Sequence, residues 1–247
     1  MAGIKHSLNK IYLDEPVKGI INNFKSIYHL ASYQLTDAVT ARNTKLIKKY
    51  LDNNDKPRLH IGCGKRRIPG WLNSDYFPTD SQIAHVDATR RFPFADNSLH
   101  YIFTEHMIEH VSYEKGVSML RECYRTLMPG GRIRLATPDL QFLHDLYRSD
   151  KSDLQKDYIK WATDNHIEGS NGYVDTFVIN NYVRDWGHLF IYDFEVLKRT
   201  LEVAGFKTVV KQGINCSDDP VLENLENESR MPPGFLKLES LIIEAVK

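Results

Sequence analysis

Short apolar runs that end in turn residues alternate with stretches of helical period along most of this chain. Arg58-Leu59-His60-Ile61 stops at Gly62-Cys63-Gly64, which predicts a strand running into a glycine turn. Trp71–Ser74 reads as a second strand finishing at Asp75, Ile83–Val86 as a third ending at Asp87, and Leu99–Phe103 as a fourth, with Glu105 and His106 just past its end. Helical spacing over Tyr113–Leu127 places Val117, Leu120, Cys123, Tyr124 and Leu127 on one face, with Ser112 as cap and Met128-Pro129-Gly130-Gly131 as stop. Arg132–Ala136 alternates charged with apolar residues and predicts a fifth strand. A helix over Asp193–Ala204, with Gly205 as C-cap, precedes strands at Phe206–Val210 and Leu238–Val246, separated by an acidic loop with a Pro-Pro-Gly bend. Strands alternating with helices imply an α/β domain built on a mainly parallel sheet.

Two regions depart from this rhythm. Residues 26–51 lack Pro and Gly and carry apolar residues at helical spacing, so 1–56 is expected to form a helical cap before a domain spanning 57–247. Residues 139–190 combine a helical piece with polar, glycine-containing sequence and are expected to be a long irregular insert over the substrate side.

The 247 residues can bury a substantial core, and 32 basic against 32 acidic side chains argue against broad electrostatic binding to nucleic acid. No apolar run approaches a membrane span, and the N-terminus lacks a signal-peptide core. Cys63, Cys123 and Cys216 are scattered without CxxC spacing, which fits free thiols in a reducing cytoplasm rather than a disulfide frame or a zinc site.

Glycines after a first strand allow a tight turn and close approach of a ligand, and an acid ending the second strand suits the two hydroxyls of a ribose. Gly62, Gly64 and Asp75 therefore outline a nucleoside pocket. Gly64 is followed by Lys65, Arg66 and Arg67, so the full dinucleotide glycine pattern is absent. His106 and His110 stand four apart, but without a clear third ligand they are read as packing groups, and no metal is expected. His188, at the end of the insert, is a candidate base or a histidine tying the insert to the core; His166 is a candidate of the same kind. Tyr182 and Arg184, with Asn180 and Asn181, are candidates for binding substrate hydroxyls or a phosphate, or else ordinary loop groups.

The strings LHIGCG, NSD, VDATRRFPFADNSLHYIF, EHMIEHV, LRECYRTLMPGGRIRLATPD, LKRTLEVAGF and ESLIIEAVK, in this order, resemble the class I S-adenosylmethionine-dependent methyltransferases. The likeness covers about residues 57–247 outside most of the insert, and RTLMPGGRIRL is its most specific passage. In detail it looks closest to small bacterial enzymes that decorate surface polysaccharides. The resemblance implies a Rossmann-like, seven-stranded, mostly parallel sheet with an antiparallel last strand, and S-adenosylmethionine as cofactor. It implies cofactor contacts from His60, Gly62, Cys63, Gly64, Asp75, Tyr76, Asp87, Ala88, Thr104 and Glu105, with Asp87-Ala88 beside the adenine. The implied reaction moves a methyl group to a substrate heteroatom, foremost a hydroxyl oxygen of a sugar or polysaccharide precursor, with His188 and His106 as candidate catalytic groups. Departures accompany it: His60 stands where the family has an acid, Arg66 at its third glycine and His100 at a frequent aspartate, and 64–71 leaves little room for the usual first helix. N- or C-methylation of another metabolite, an NAD-dependent oxidoreductase and a non-catalytic binding protein remain alternatives. A small-molecule or glycan-precursor substrate is the expected partner, with a homodimer left open and neither nucleic acid nor a membrane span expected.

Overall fold

The computed structural model describes residues 41–247; the helices expected within 1–40 lie outside them. Seven strands, β1 (Arg58–Ile61), β2 (Leu72–Asp75), β3 (Ala84–His85), β4 (Leu99–Glu105), β5 (Leu127–Pro138), β6 (Lys207–Gln212) and β7 (Ser240–Val246), form one sheet. Its order is β3-β2-β1-β4-β5-β7-β6, and only β7 runs antiparallel to its neighbours. This is the Rossmann-like class I methyltransferase fold expected above. The chain reverses its direction of travel across the sheet between β1 and β4, and that switch leaves a crevice at the carboxyl ends of both strands.

Leu59, Ile102, Ile133 and Leu135 are fully buried, as central strands covered on both faces require. Helices Tyr113–Thr126 and Phe194–Ala204 pack together over the sheet, meeting it through Met119, Leu120, Cys123, Leu197 and Leu201. The buried face of the first helix is turned from the expected one: Gly116 and Met119 lie inside, while Val117 and Tyr124 are only partly covered. Gly116 is inside because the Tyr192 hydroxyl occupies the space a Cβ would need.

β4 extends through Glu105, so this acid ends the strand rather than following it. β5 begins at Leu127, with the Pro-Gly-Gly passage inside the extended segment and Gly130 at φ +78°. The expected alternation of β5 fails at Arg134, which is fully buried. Glu226 takes its Nε and Nη2 at 2.7 and 2.8 Å, and Glu244 takes Nη1 at 2.5 Å. These bonds, with those to the Gly213 and Cys216 carbonyls, hold the loop between β6 and β7 across the sheet.

Residues 139–190 are helical rather than irregular: Leu140–Tyr147, Asp153–His166 and Asp175–Arg184. Asp139 caps the first, and a capping box between Ser152 and Gln155 starts the second. Phe142, Leu146, Tyr158, Ile159, Val178 and Tyr182 give them a core of their own with Phe235. Phe235–Glu239 is a short helix, so the last strand starts at Ser240 rather than Leu238.

Between β1 and β2 the chain makes turns and no helix, although a parallel crossover normally needs a dozen or more residues. Side chains organise it instead. Asn73 accepts from the Ile68 N–H at 2.8 Å and donates to the Ile68 and Trp71 carbonyls, both at 3.1 Å. Tyr50, from the helix Arg42–Asp52, donates to the Gly70 carbonyl at 2.9 Å and accepts from the Arg58 N–H at 3.0 Å.

Candidate active site

Three cavities open along the carboxyl edge of the sheet. One, of about 440 Å³, lies between the ends of β1, β2 and β3 and is lined by Gly62, Asp75, Tyr76, Asp87, Ala88 and Met107, among others. Gly62 has φ +70°, and a Cβ there would stand 2.6 Å from the Met107 side chain. Gly64 also has positive φ, +54°, but a Cβ would meet nothing within 4 Å, so the turn presents bare backbone to open space. Asp75 secures that turn: one carboxylate oxygen accepts from the Gly64 N–H and the other from the Phe77 N–H, each at 2.8 Å. Each oxygen keeps a lone pair for a further donor. Asp87 is braced in the same way, one oxygen accepting from the Thr89 N–H and hydroxyl and the other facing Arg90 at 3.1 Å.

A second cavity, of about 350 Å³, lies over the glycine turn and is lined by His60, Cys63, Lys65, Arg66, Glu105, His106, Asn227 and Arg230. Burial holds the His60 imidazole at a pKa of about 4, and its Nδ1 lies 3.0 Å from the Asn73 carbonyl oxygen. It is a neutral group at the position where the family has an acid. Glu105 is bonded to Arg66 at 3.0 Å and to the Asn227 N–H at 2.9 Å, so Arg66, at the missing third glycine, is its partner. Burial pushes the Cys63 thiol up to about 12, which leaves it protonated and unreactive.

The third cavity, about 330 Å³, is a chamber walled by Tyr158, Trp161, Tyr182 and Trp186, with His106, His110, His166, His188, Glu109, Glu239 and Arg230 around it. His166 stands between Trp161 and Trp186 at ring separations of 5.1 and 5.2 Å. Tyr158 donates to Glu239 at 2.5 Å, and burial raises the Glu239 carboxyl. Burial would also raise Glu109, which is fully enclosed, but the neighbouring imidazoles of His106 and His110 outweigh it and hold the carboxyl below its ordinary value. The Glu109 carbonyl accepts from the N–H groups of Leu189 and Phe190 at 2.7 and 3.2 Å. Main chain thus joins the end of the helical insert to the exit of β4.

His188 Nδ1 lies 2.7 Å from the Tyr182 carbonyl. A carbonyl only accepts, so this bond assigns the proton to Nδ1 and leaves Nε2 as the ring's acceptor. His106 has φ +47° and belongs to both the chamber and the second cavity; its Nδ1 faces Glu109 at 3.4 Å and its Nε2 the Ser240 hydroxyl at 3.3 Å.

Of the residues proposed from sequence, His60, Gly62, Cys63, Asp75, Tyr76, Asp87, Ala88 and Glu105 line the first two cavities, and His106, His166, Tyr182 and His188 the chamber. Gly64 sits in the turn that Asp75 fastens. Thr104 and Arg184 line none of the three: Thr104 is buried inside the sheet, and Arg184 is exposed at the end of its helix. Glu109, Met107, Trp161, Trp186, Arg230 and Glu239 are additions. Glu109 and Met107 lie within EHMIEHV and Trp186 stands two residues before His188, but nothing local marks Glu239 as reaching a site.

Residues 59–135, running from β1 into β5, match the family described as "Methyltransferase domain". The methyltransferase-domain match thus falls on the first five strands of a sheet with the class I methyltransferase strand order. The chain also resembles a SAM-dependent methyltransferase from Archaeoglobus fulgidus, with 18% identity over 87% of this chain and 99% of that one and a TM-score of 0.47. A possible histamine N-methyltransferase from Thermotoga maritima is 15% identical over 88% and 97% of the two chains, with a TM-score of 0.43. Phosphoethanolamine N-methyltransferase 2 from Haemonchus contortus, in complex with S-adenosyl-L-methionine, is 13% identical with a TM-score of 0.40; 84% of this chain aligns and spans 52% of that one. No curated protein sequence matches the chain significantly. Among the described residues no helix is long and apolar enough to cross a membrane. Its cofactor, S-adenosylmethionine, fits the residues present: open backbone at Gly64, a braced acid with spare lone pairs at Asp75, apolar walls at Val86, Ala88 and Met107, and polar groups beyond the glycine turn.

Proposed function

We propose that the enzyme methylates an oxygen of a hydroxylated acceptor held in the chamber, a sugar or surface-polysaccharide precursor. When bound, S-adenosylmethionine supplies a methyl group on a positively charged sulfur that leaves readily. Asp75 would take the ribose hydroxyls and Val86, Ala88 and Met107 the base, with Glu105, Asn227 and Arg230 available to the methionine end. His106 is shared by the methionine-end cavity and the chamber, which supports transfer at that border.

Such a transfer needs alignment and a group to receive the hydroxyl proton. We assign that group to His188. The observation that carries the reading is the Nδ1 bond to the Tyr182 carbonyl, because it fixes the tautomer and leaves Nε2 free to accept. Burial lowers the pKa of this imidazole, so the accepting form prevails at neutral pH. His106, with both nitrogens facing protein groups, positions rather than accepts. Flat aromatic walls suit the C–H face of a sugar ring, and Glu239 and Arg230 offer hydrogen bonds to its hydroxyls. An amine acceptor is the second reading, favoured by the ionised Glu109 beside those aromatic faces.

The test is methyl transfer from labelled cofactor to hydroxylated sugars, sugar nucleotides and amines, with wild type and His188→Gln compared. Turnover on a hydroxylated acceptor that falls about 10²–10⁴-fold in the variant, with cofactor affinity intact by calorimetry, is the expected result. Undiminished turnover would remove His188 as the proton acceptor.

A further inference from the structure

Glu109, His110 and His188 each offer a donor atom within 4.8 Å of the other two. Three features of this cluster suit a cation. The Oε1 atom of the fully buried Glu109 has no hydrogen-bond partner; its neighbours are His106 Nδ1 at 3.4 Å and His110 Nε2 at 3.9 Å, while Oε2 takes the Thr137 hydroxyl at 3.1 Å. The His188 Nδ1–H donates to a backbone carbonyl, the arrangement that orients an imidazole whose other nitrogen binds a metal. Two imidazoles and one carboxylate beside a chamber with room for a fourth ligand match the donor set of open zinc sites. We infer that Glu109, His110 and His188 bind a divalent first-row cation of the zinc class.

The His106/His110 pair lacks a third donor in the sequence; folding supplies it from position 188, and Glu109 rather than His106 completes the set. Ligand atoms about 2.1 Å from a tetrahedral zinc stand roughly 3.4 Å apart, so the cluster must contract on binding. His110 is the ligand free to swing, its side chain being 39% exposed. With Nδ1 committed to Tyr182, His188 has one lone pair, and that pair holds either a proton or the cation. The cation is therefore an inhibitor of methyl transfer. The inhibition rests on His188 being the proton acceptor; the binding does not.

Full-length protein freed of metal by chelator dialysis is titrated with cobalt(II), read by visible absorption and calorimetry, with methyl transfer measured at the same occupancies. One cobalt per chain, the intense absorption of a four-coordinate site and turnover falling in step with occupancy are expected. Glu109→Gln and His110→Asn should each weaken binding a hundredfold or more, and circular dichroism checks that both variants fold. No saturable binding, or binding unchanged in a folded His110→Asn variant, overturns the site. Saturable binding that raises turnover keeps the site and overturns His188 as the proton acceptor.

Discussion

The nucleoside side of the crevice and the chamber are built by opposite means. On the nucleoside side, backbone does the shaping: two positive-φ glycines and an acid eleven residues later that hydrogen-bonds the turn it faces. In the chamber, side chains from the β4 exit, two insert helices, the segment before the helix Phe194–Ala204, the loop between β6 and β7 and the short helix before β7 meet across large sequence separations. The first design is local and fixed by few residues, whereas the second is assembled by packing. A pocket for an invariant ligand can be written into one turn, while a pocket for a particular acceptor needs a repackable wall.

The largest effect that would break this contrast is at His188. His188→Gln should lower turnover about 10²–10⁴-fold while leaving cofactor affinity unchanged, and a parallel loss of affinity in calorimetry would show the two sides to be one unit. Next is Arg134→Leu, which strands the buried Glu226 and Glu244. It should cost about 3–5 kcal/mol in denaturant unfolding. In any folded fraction, cofactor affinity and acceptor KM should both suffer, because the loop that Arg134 holds leads to Asn227 and Arg230 at the methionine end and to Glu239 in the chamber. Asp75→Asn should weaken cofactor binding by roughly 1.5–3 kcal/mol, through loss of a charged acceptor for ribose and of its grip on Gly64. Unchanged affinity would disconnect the braced acid from the ligand. The smallest effect is expected from Trp186→Ala, about 1 kcal/mol in acceptor KM with no change for the cofactor.

The same contrast governs what the sequence discloses. Gly62, Gly64, Asp75 and Asp87 are legible because strand, turn and acid fall within thirty residues, and each residue type has one conformational reason to be there. The succession of strands and helices follows from the rhythm of runs and breakers, while the antiparallel last strand is legible only through the family resemblance. The chamber is legible only at its histidines and Tyr182. Glu109 and Glu239 look like ordinary helix acids until folding buries them, and Trp161 and Trp186 look like core residues. The insert reads as irregular because its polar 163–173 stretch hides a helix boundary, and the capping box at Ser152 is the local mark of the helix that precedes it. Arg134 broke a regular alternation since its carboxylate partners lie some ninety and one hundred and ten positions away.

The two main-chain bonds from Leu189 and Phe190 to the Glu109 carbonyl have a bearing on how such a protein can change. They register position 188 against the end of β4 without calling on any side chain. Residues 140–174 can therefore drift, lengthen or be exchanged by an engineer in search of new acceptors, while the imidazole stays indexed to the same point of the sheet.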